Sequence, residues 1–154
     1  VHSRPLDLAG GYFVTGDGYR TENSTIVCNG ILNSHLLNLY GARKTGLERA
    51  KTGGGCYVVD PGGQSVDSMI GDVERGVLIT RFSGGRPNDK GDFSGVAKNS
   101  YYIEGGEVKH PVSETMISGN MAELLHNIVG ISRERADFGD SIYPWVRTTG
   151  VGIS

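Results

Sequence analysis

The chain has 154 residues, 37% hydrophobic and 21% charged, a composition that builds a core and excludes a disordered tract. Its formal net charge is -2, and its Lys and Arg are spread out, the densest group being Arg43, Lys44, Arg49 and Lys51. That argues against direct nucleic-acid binding, which takes a basic patch or stripe, and no apolar run reaches the ~20 residues of a membrane-spanning helix.

Glycine supplies 25 residues, more than double the average usage of about 7%, without a collagen-like period. Many glycines mean many turns, bulges and close backbone approaches, and they lean toward β structure. The length fits one domain over residues 1–154. The opening VHSRPLDLAGG lacks an initiator Met and any secretory leader, and reads as part of something longer. Cys28 and Cys56 form no CxxC pair and read as ordinary, buried thiols of a reducing compartment.

In chain order, STIVCNGIL (24–32) reads as a strand. SHLLNLYGARKTG then reads as a helix with Ser34 as cap and Leu36, Leu37 and Tyr40 on one side. Arg43 and Lys44 sit in its last turn, where the helix dipole favours cations, and Gly46 closes it. CYVVD (56–60) is a short β-branched strand. SVDSMIGDVERG places Val66, Met69, Ile70 and Val73 at helical spacing behind a Ser65 cap, with Gly76 as its end. GVLITRFSGG reads as one strand, alternating Val77, Ile79 and Arg81 with Leu78, Thr80 and Phe82.

SYYIE-GG-EVKHPV carries a two-residue hairpin signal at Gly105-Gly106. A regular hairpin pairs Glu104 with Glu107, Ile103 with Val108, Tyr102 with Lys109 and Tyr101 with His110. Tyr101, Ile103, Val108 and His110 then form its inner face. Glu104 and Glu107 are charged turn flanks on this reading and not a catalytic pair. NMAELLHNIVG follows as a helix with Asn120 as cap, Glu123 completing a variant capping box and Gly130 as its stop. Its apolar stripe is Met121, Leu124, Leu125, Ile128 and Val129, and His126 falls on the solvated side. SIYPWVRTTGVGIS closes the chain as a strand, with Pro144 marking an edge or bulge. The fold class is therefore α+β: glycine-rich, mainly antiparallel β, barrel- or sandwich-like, with about three short helices.

No metalloprotease, phosphate-loop or nucleophile-elbow motif occurs. GDSI at Gly139–Ile142 resembles a hydrolase motif but reads as a turn before a strand. TGGGCYVV leads into a strand, whereas phosphate loops lead into a helix. His2, His35, His110 and His126 share no ligand spacing. No catalytic residue and no metal ligand is assigned in this chain.

Two blocks, DGYRTENSTIVCNGILNSHLLNLYGARKTGL and GDFSGVAKNSYYIEGGEVKHPVSETMISGNMAELLHNIVGIS, resemble the TldD/PmbA family, also labelled modulator of DNA gyrase. They occur in the family's order and cover most of the chain. The ARK-x-G and PVSE-x-x-I-x-GN segments are similar to the PmbA side, also called TldE. The TldD side carries a cysteine zinc ligand after the last helix, and RERADFGDSIYPWV has none. Its other zinc ligands, H-E-x-x-x-H, would lie upstream. The resemblance implies the C-terminal domain of a longer protein, a TldE/PmbA-type non-catalytic subunit of a cytoplasmic zinc metalloprotease. It also implies a TldD-type partner (or a homodimer) holding the zinc, and unfolded peptides as substrates, as in peptide maturation and antitoxin degradation. The alternatives are a stand-alone peptide- or protein-binding β module and a metallopeptidase completed by upstream residues. Glycine density at FSGG and GDFSG marks Gly91, Asp92, Phe93 and Ser94 as candidate peptide-binding residues. A peptide adding there as a strand would be read mainly through its backbone; tight turns alone are the competing account.

Overall fold

The structure, a computed structural model, describes residues 1–154. It divides into two compact units: Val1–Pro61 with Arg135–Pro144, and Gly62–Glu134 with Trp145–Ser154. No helix is long and apolar enough to cross a membrane.

In the first unit, β1 (His2–Ser3) pairs antiparallel with β2 (Ser24–Thr25) on one side and β5 (Tyr57–Val58) on the other. Ile142 pairs in parallel with Val58. The segment 24–32 is not one strand. β3 (Val27–Cys28) and β4 (Ile31–Leu32) form a hairpin over Asn29-Gly30, whose φ angles of 49° and 77° are those a tight primed turn requires. Buried Ile26, Ala50 and Cys56 are joined by buried hydroxyls. Ser3 Oγ lies 2.9 Å from Thr52 Oγ1, which also contacts Tyr12 Oη at 2.8 Å.

Helix α1 (Leu39–Thr45) starts later than its sequence indicates. Asn38, not Ser34, is the cap, its side chain accepting from Gly41 N at 2.9 Å. The amide of Leu39 donates to Asp17 Oδ2 at 2.7 Å, so an acid from a distant turn anchors the helix start. Leu36 and Leu37 precede the helix and Tyr40 is 70% exposed, so the expected apolar side does not form. Gly46, at φ 73°, closes the helix behind Arg43 and Lys44, as expected.

The second unit opens with α2 (Val66–Gly71), capped by Ser65 Oγ on Ser68 N and by Glu134 Oε2 on Val66 N, both at 3.1 Å. It ends at Asp72 and not at Gly76, because Arg75 and Gly76 already belong to β6 (Arg75–Leu78). The expected strand 76–85 is two strands in two sheets. β6 is the edge of a three-stranded sheet with β9 (Ser100–Glu104) and β10 (Glu107–Val112). β7 (Arg81–Gly84) is the edge of a four-stranded sheet with β8 (Asp92–Lys98), β11 (Thr115–Asn120) and β14 (Gly152–Ile153). Pairing in both sheets is antiparallel, and every sheet is open, so the sandwich-like alternative fits and a closed barrel does not.

The break between β6 and β7 keeps the register. Leu78 faces Tyr101; three residues on, Arg81 faces Lys98, three residues earlier. Two side chains fill the joint: Thr80 Oγ1 donates to Asn99 O, and buried Ser100 Oγ accepts from Thr80 N at 3.4 Å while donating to Lys98 O at 2.8 Å. Asn99 takes a left-handed φ of 49°.

The β9–β10 hairpin turns at Gly105-Gly106, both at positive φ, with Glu104 opposite Glu107 and Ile103 opposite Val108, as expected. Beyond that pair the register shifts, and Tyr101 faces Pro111 instead of His110. Lys109 and His110 thus share a bulge opposite Tyr102, and the His110 ring lies 5.3 Å from the Tyr102 ring. Of the expected inner face only Ile103, 4% exposed, is buried; Tyr101, Val108 and His110 are exposed.

Helix α3 (Met121–His126) has its expected cap in Asn120, and His126 is exposed. Glu123 makes no return bond to that cap; the first helical amide, Met121 N, donates to Gly91 O at 2.8 Å. The helix ends at Asn127, so Ile128, Val129 and Gly130 begin β12 (Ile128–Asp137) and extend no apolar stripe. Gly130 is no helix stop: it is buried against Gln64 and Met69. β13 (Ile142–Thr148) follows, with Pro144 beyond its one rung with β5.

Candidate functional site

The four candidate residues lie together at the start of β8. Gly91 has a φ of 88°, and its amide donates to Asn88 O at 2.9 Å. Asp92 is held from all sides. Its Oδ1 accepts from Asn120 Nδ2 at 2.9 Å, its Oδ2 from Asn88 Nδ2 at 3.1 Å, and its amide donates to Asn88 Oδ1 at 2.9 Å. The Asn120 bond first, and the Asn88 bond after it, hold the Asp92 carboxyl below its usual range. Phe93 meets Phe82 edge-on, ring centroids 6.0 Å apart at 84°, and lies over Gly119. Ser94 pairs with Ser118.

Glycine makes this corner possible. A Cβ on Gly95 would stand 2.6 Å from both Gly84 Cα and the Phe82 ring. The tip of the ring therefore occupies the space that side chains at 84 and 95 would fill. β8 pairs with β11 from Asp92 to Ala97, but with β7 only from Gly95 to Lys98. Phe93 and Ser94 thus have a strand on one side only. On the other side the hairpin loop returns, fixed by Asn88 N donating to Asp92 O at 3.0 Å. The outer strand of this hairpin, β7, is exposed along its whole length.

No three His, Cys, Asp or Glu side chains converge. His2 is engaged between Thr25 Oγ1 at 3.0 Å and Asp60 Oδ2 at 2.8 Å. Cys28 is exposed; Cys56 is buried, burial pushing its thiol pKa up. The GDSI segment is a turn, Phe138 N donating to Ser141 O at 2.9 Å. In the first unit, a concavity of about 250 Å³ is lined by Asp17 and Arg49 among others. The Arg49 guanidinium stands 3.8 Å from the Asp17 carboxylate and 4.0 Å above the Tyr19 ring. No short motif marks that arrangement, because its partners come from separate turns.

Open antiparallel sheets, three short capped helices and a glycine-floored sheet rim define a β-rich domain. The family profile of the PmbA/TldA metallopeptidase C-terminal domain matches residues 1–154, and the chain belongs to that family. Metalloprotease PmbA of Escherichia coli O157:H7 is 33% identical over 142 residues, covering 87% of this chain and 31% of that protein. A solved structure from Thermotoga maritima, described as a modulator of a DNA gyrase, superposes with a TM-score of 0.83 at 30% identity, over 99% of this chain and 38% of its own. TldE from Thermococcus kodakarensis superposes with a TM-score of 0.75 at 26% identity, over 93% and 36% of the two chains. The chain spans about a third of the length of the curated relatives it matches.

Proposed function

We propose that this chain is the C-terminal domain of a PmbA/TldE-type, non-catalytic subunit of a cytoplasmic zinc metalloprotease. In this reading a TldD-type partner, or a second copy in a homodimer, brings the zinc. The domain helps hold an unfolded peptide at the rim formed by Gly91, Asp92, Phe93 and Ser94 with β7 beside them. The observation that carries it is the half-open hairpin: β8 is fixed by β11 and by the Asn88–Asp92–Asn120 bonds, while β7 beside it has a free edge. A rigid strand with an open neighbour offers main-chain donors and acceptors to an extended peptide and asks little of its sequence. Subunit type is supported by the PmbA and TldE likenesses and by the absence of cysteine from residues 133–146.

Native mass spectrometry with metal analysis of the full-length protein, tagged and drawn from its own cell, tests the reading. A co-eluting partner with one zinc, the tagged chain being zinc-free, is the expected result. Zinc on the tagged chain would favour a metallopeptidase completed by upstream residues. Neither zinc nor partner would favour a stand-alone binding module.

A further inference from the structure

The β7 edge has a charge of its own. Residues 81–98 carry four Lys and Arg (Arg81, Arg86, Lys90, Lys98) and two Asp, in a chain whose net charge is -2. Of those two acids, Asp92 is engaged by Asn88 and Asn120. Arg81 and Lys98 stand directly opposite each other in the ladder, and neither is in an ion pair. Arg86 and Lys90 are also unpaired. Like charges directly opposite one another weaken a strand pair, so a carboxylate arriving on that face relieves a repulsion as well as making a contact.

The backbone is open in the same place. Arg81–Gly84 pair only with β8, and no hydrogen bond outside that ladder involves their backbone. An unpaired edge is a template for another extended chain. Alternation then sets what the incoming strand presents. Arg81 and Ser83 point to one face, and Phe82, 40% exposed over Gly84 and Gly95, to the other.

We propose that β7 takes extended peptide segments bearing Asp or Glu, adding them as a strand with a carboxylate beside Arg81 and an apolar side chain beside Phe82. This rests on the peptide-holding reading and names its substrate class as acidic, extended peptide.

The test is fluorescence anisotropy on the full-length protein with its natural partner. The probes are a short labelled peptide alternating Val and Glu, its Val-Gln counterpart, and the Val-Glu peptide with every amide N-methylated. The Val-Glu peptide should bind roughly tenfold more tightly than Val-Gln at low salt, about one charge pair's worth of affinity, and the gap should narrow as salt rises. N-methylation should abolish binding, and Arg81→Glu should remove the preference without lowering the thermal unfolding midpoint, since it ends the repulsion with Lys98; Lys98→Gln should halve the preference or more. Equal binding of Val-Glu and Val-Gln overturns the acidic selection and leaves peptide holding intact. Undiminished binding of the N-methylated peptide overturns strand addition. An unchanged preference in Arg81→Glu overturns β7 as the site. Failure of every peptide to bind overturns the peptide-holding reading itself.

Discussion

Asn120 and Asp92 hold each other at the first rung of the β8–β11 ladder, Asn120 Nδ2 donating to Asp92 Oδ1 at 2.9 Å. The same amide group donates to Lys90 O, and its oxygen caps α3 by accepting from Ala122 N, both at 2.9 Å. One side chain thus ties the hairpin loop, the strand and the helix start. Asn120→Ala should cost about 1–2 kcal/mol through the lost cap alone. Asn120→Asp keeps the cap but sets a second carboxylate against Asp92, and should be less stable at neutral than at acid pH. Urea unfolding of both variants at two pH values checks this.

Asp92 makes a prediction about acid. Its folded pKa is depressed below 3.8 by the Asn120 and Asn88 bonds. The stability it contributes is therefore present at neutral pH and is lost as pH falls through that lowered pKa. Asp92→Asn should differ most from the natural chain near neutrality, and the difference should shrink in acid. Denaturation midpoints across that range would show no such convergence if the carboxylate were idle.

Several of these features could be read along the chain. Ser65, Asn120, Gly46 and the Gly105-Gly106 turn were legible because a cap or a tight turn is specified by a residue at a fixed offset. The Asn29-Gly30 turn had a signal of the same kind, hidden inside a β-branched run. The joint at Thr80 was not legible, because the register carries straight through it and the alternation of 76–85 never falters. Nor was the Lys109–His110 bulge, since nothing in EVKHPV distinguishes an extra residue from a regular one. Ile128 and Val129 fit the helical spacing of α3 but, being β-branched, were drawn into β12 once Asn127 ended the helix. The four candidate residues were found as a contiguous stretch, whereas the Asn88 and Asn120 side chains that fix them arrive from elsewhere in the fold.

The two turn glycines should respond differently to substitution. Gly105, at φ 57°, has nothing within 4 Å of an added Cβ, whereas a Cβ on Gly106, at φ 76°, would stand 2.7 Å from Gly71 O. Gly105→Asn should be close to neutral, since Asn tolerates the left-handed region. Gly106→Ala adds a backbone clash to about 1–2 kcal/mol of left-handed strain. The order of their chemical denaturation midpoints decides the point.

Ser100→Ala should expose the joint. The variant removes the bonds of Ser100 Oγ to Lys98 O and Thr80 N, a loss of about 0.5–1.5 kcal/mol each. Amide exchange should quicken first at Thr80 and its neighbours, before the rungs at either end of the ladder. Uniform quickening along both strands would mean that Ser100 supports the whole sheet and not the joint.

The unbroken register across that joint also constrains how the gene can change. One added or deleted residue in 75–84 would turn every side chain beyond it to the opposite face in whichever sheet lies downstream. A compensating change in 95–104 would have to occur in the same lineage. Length variation among relatives should therefore collect in the loop 85–91, and the stretches on either side of it should lengthen or shorten only together.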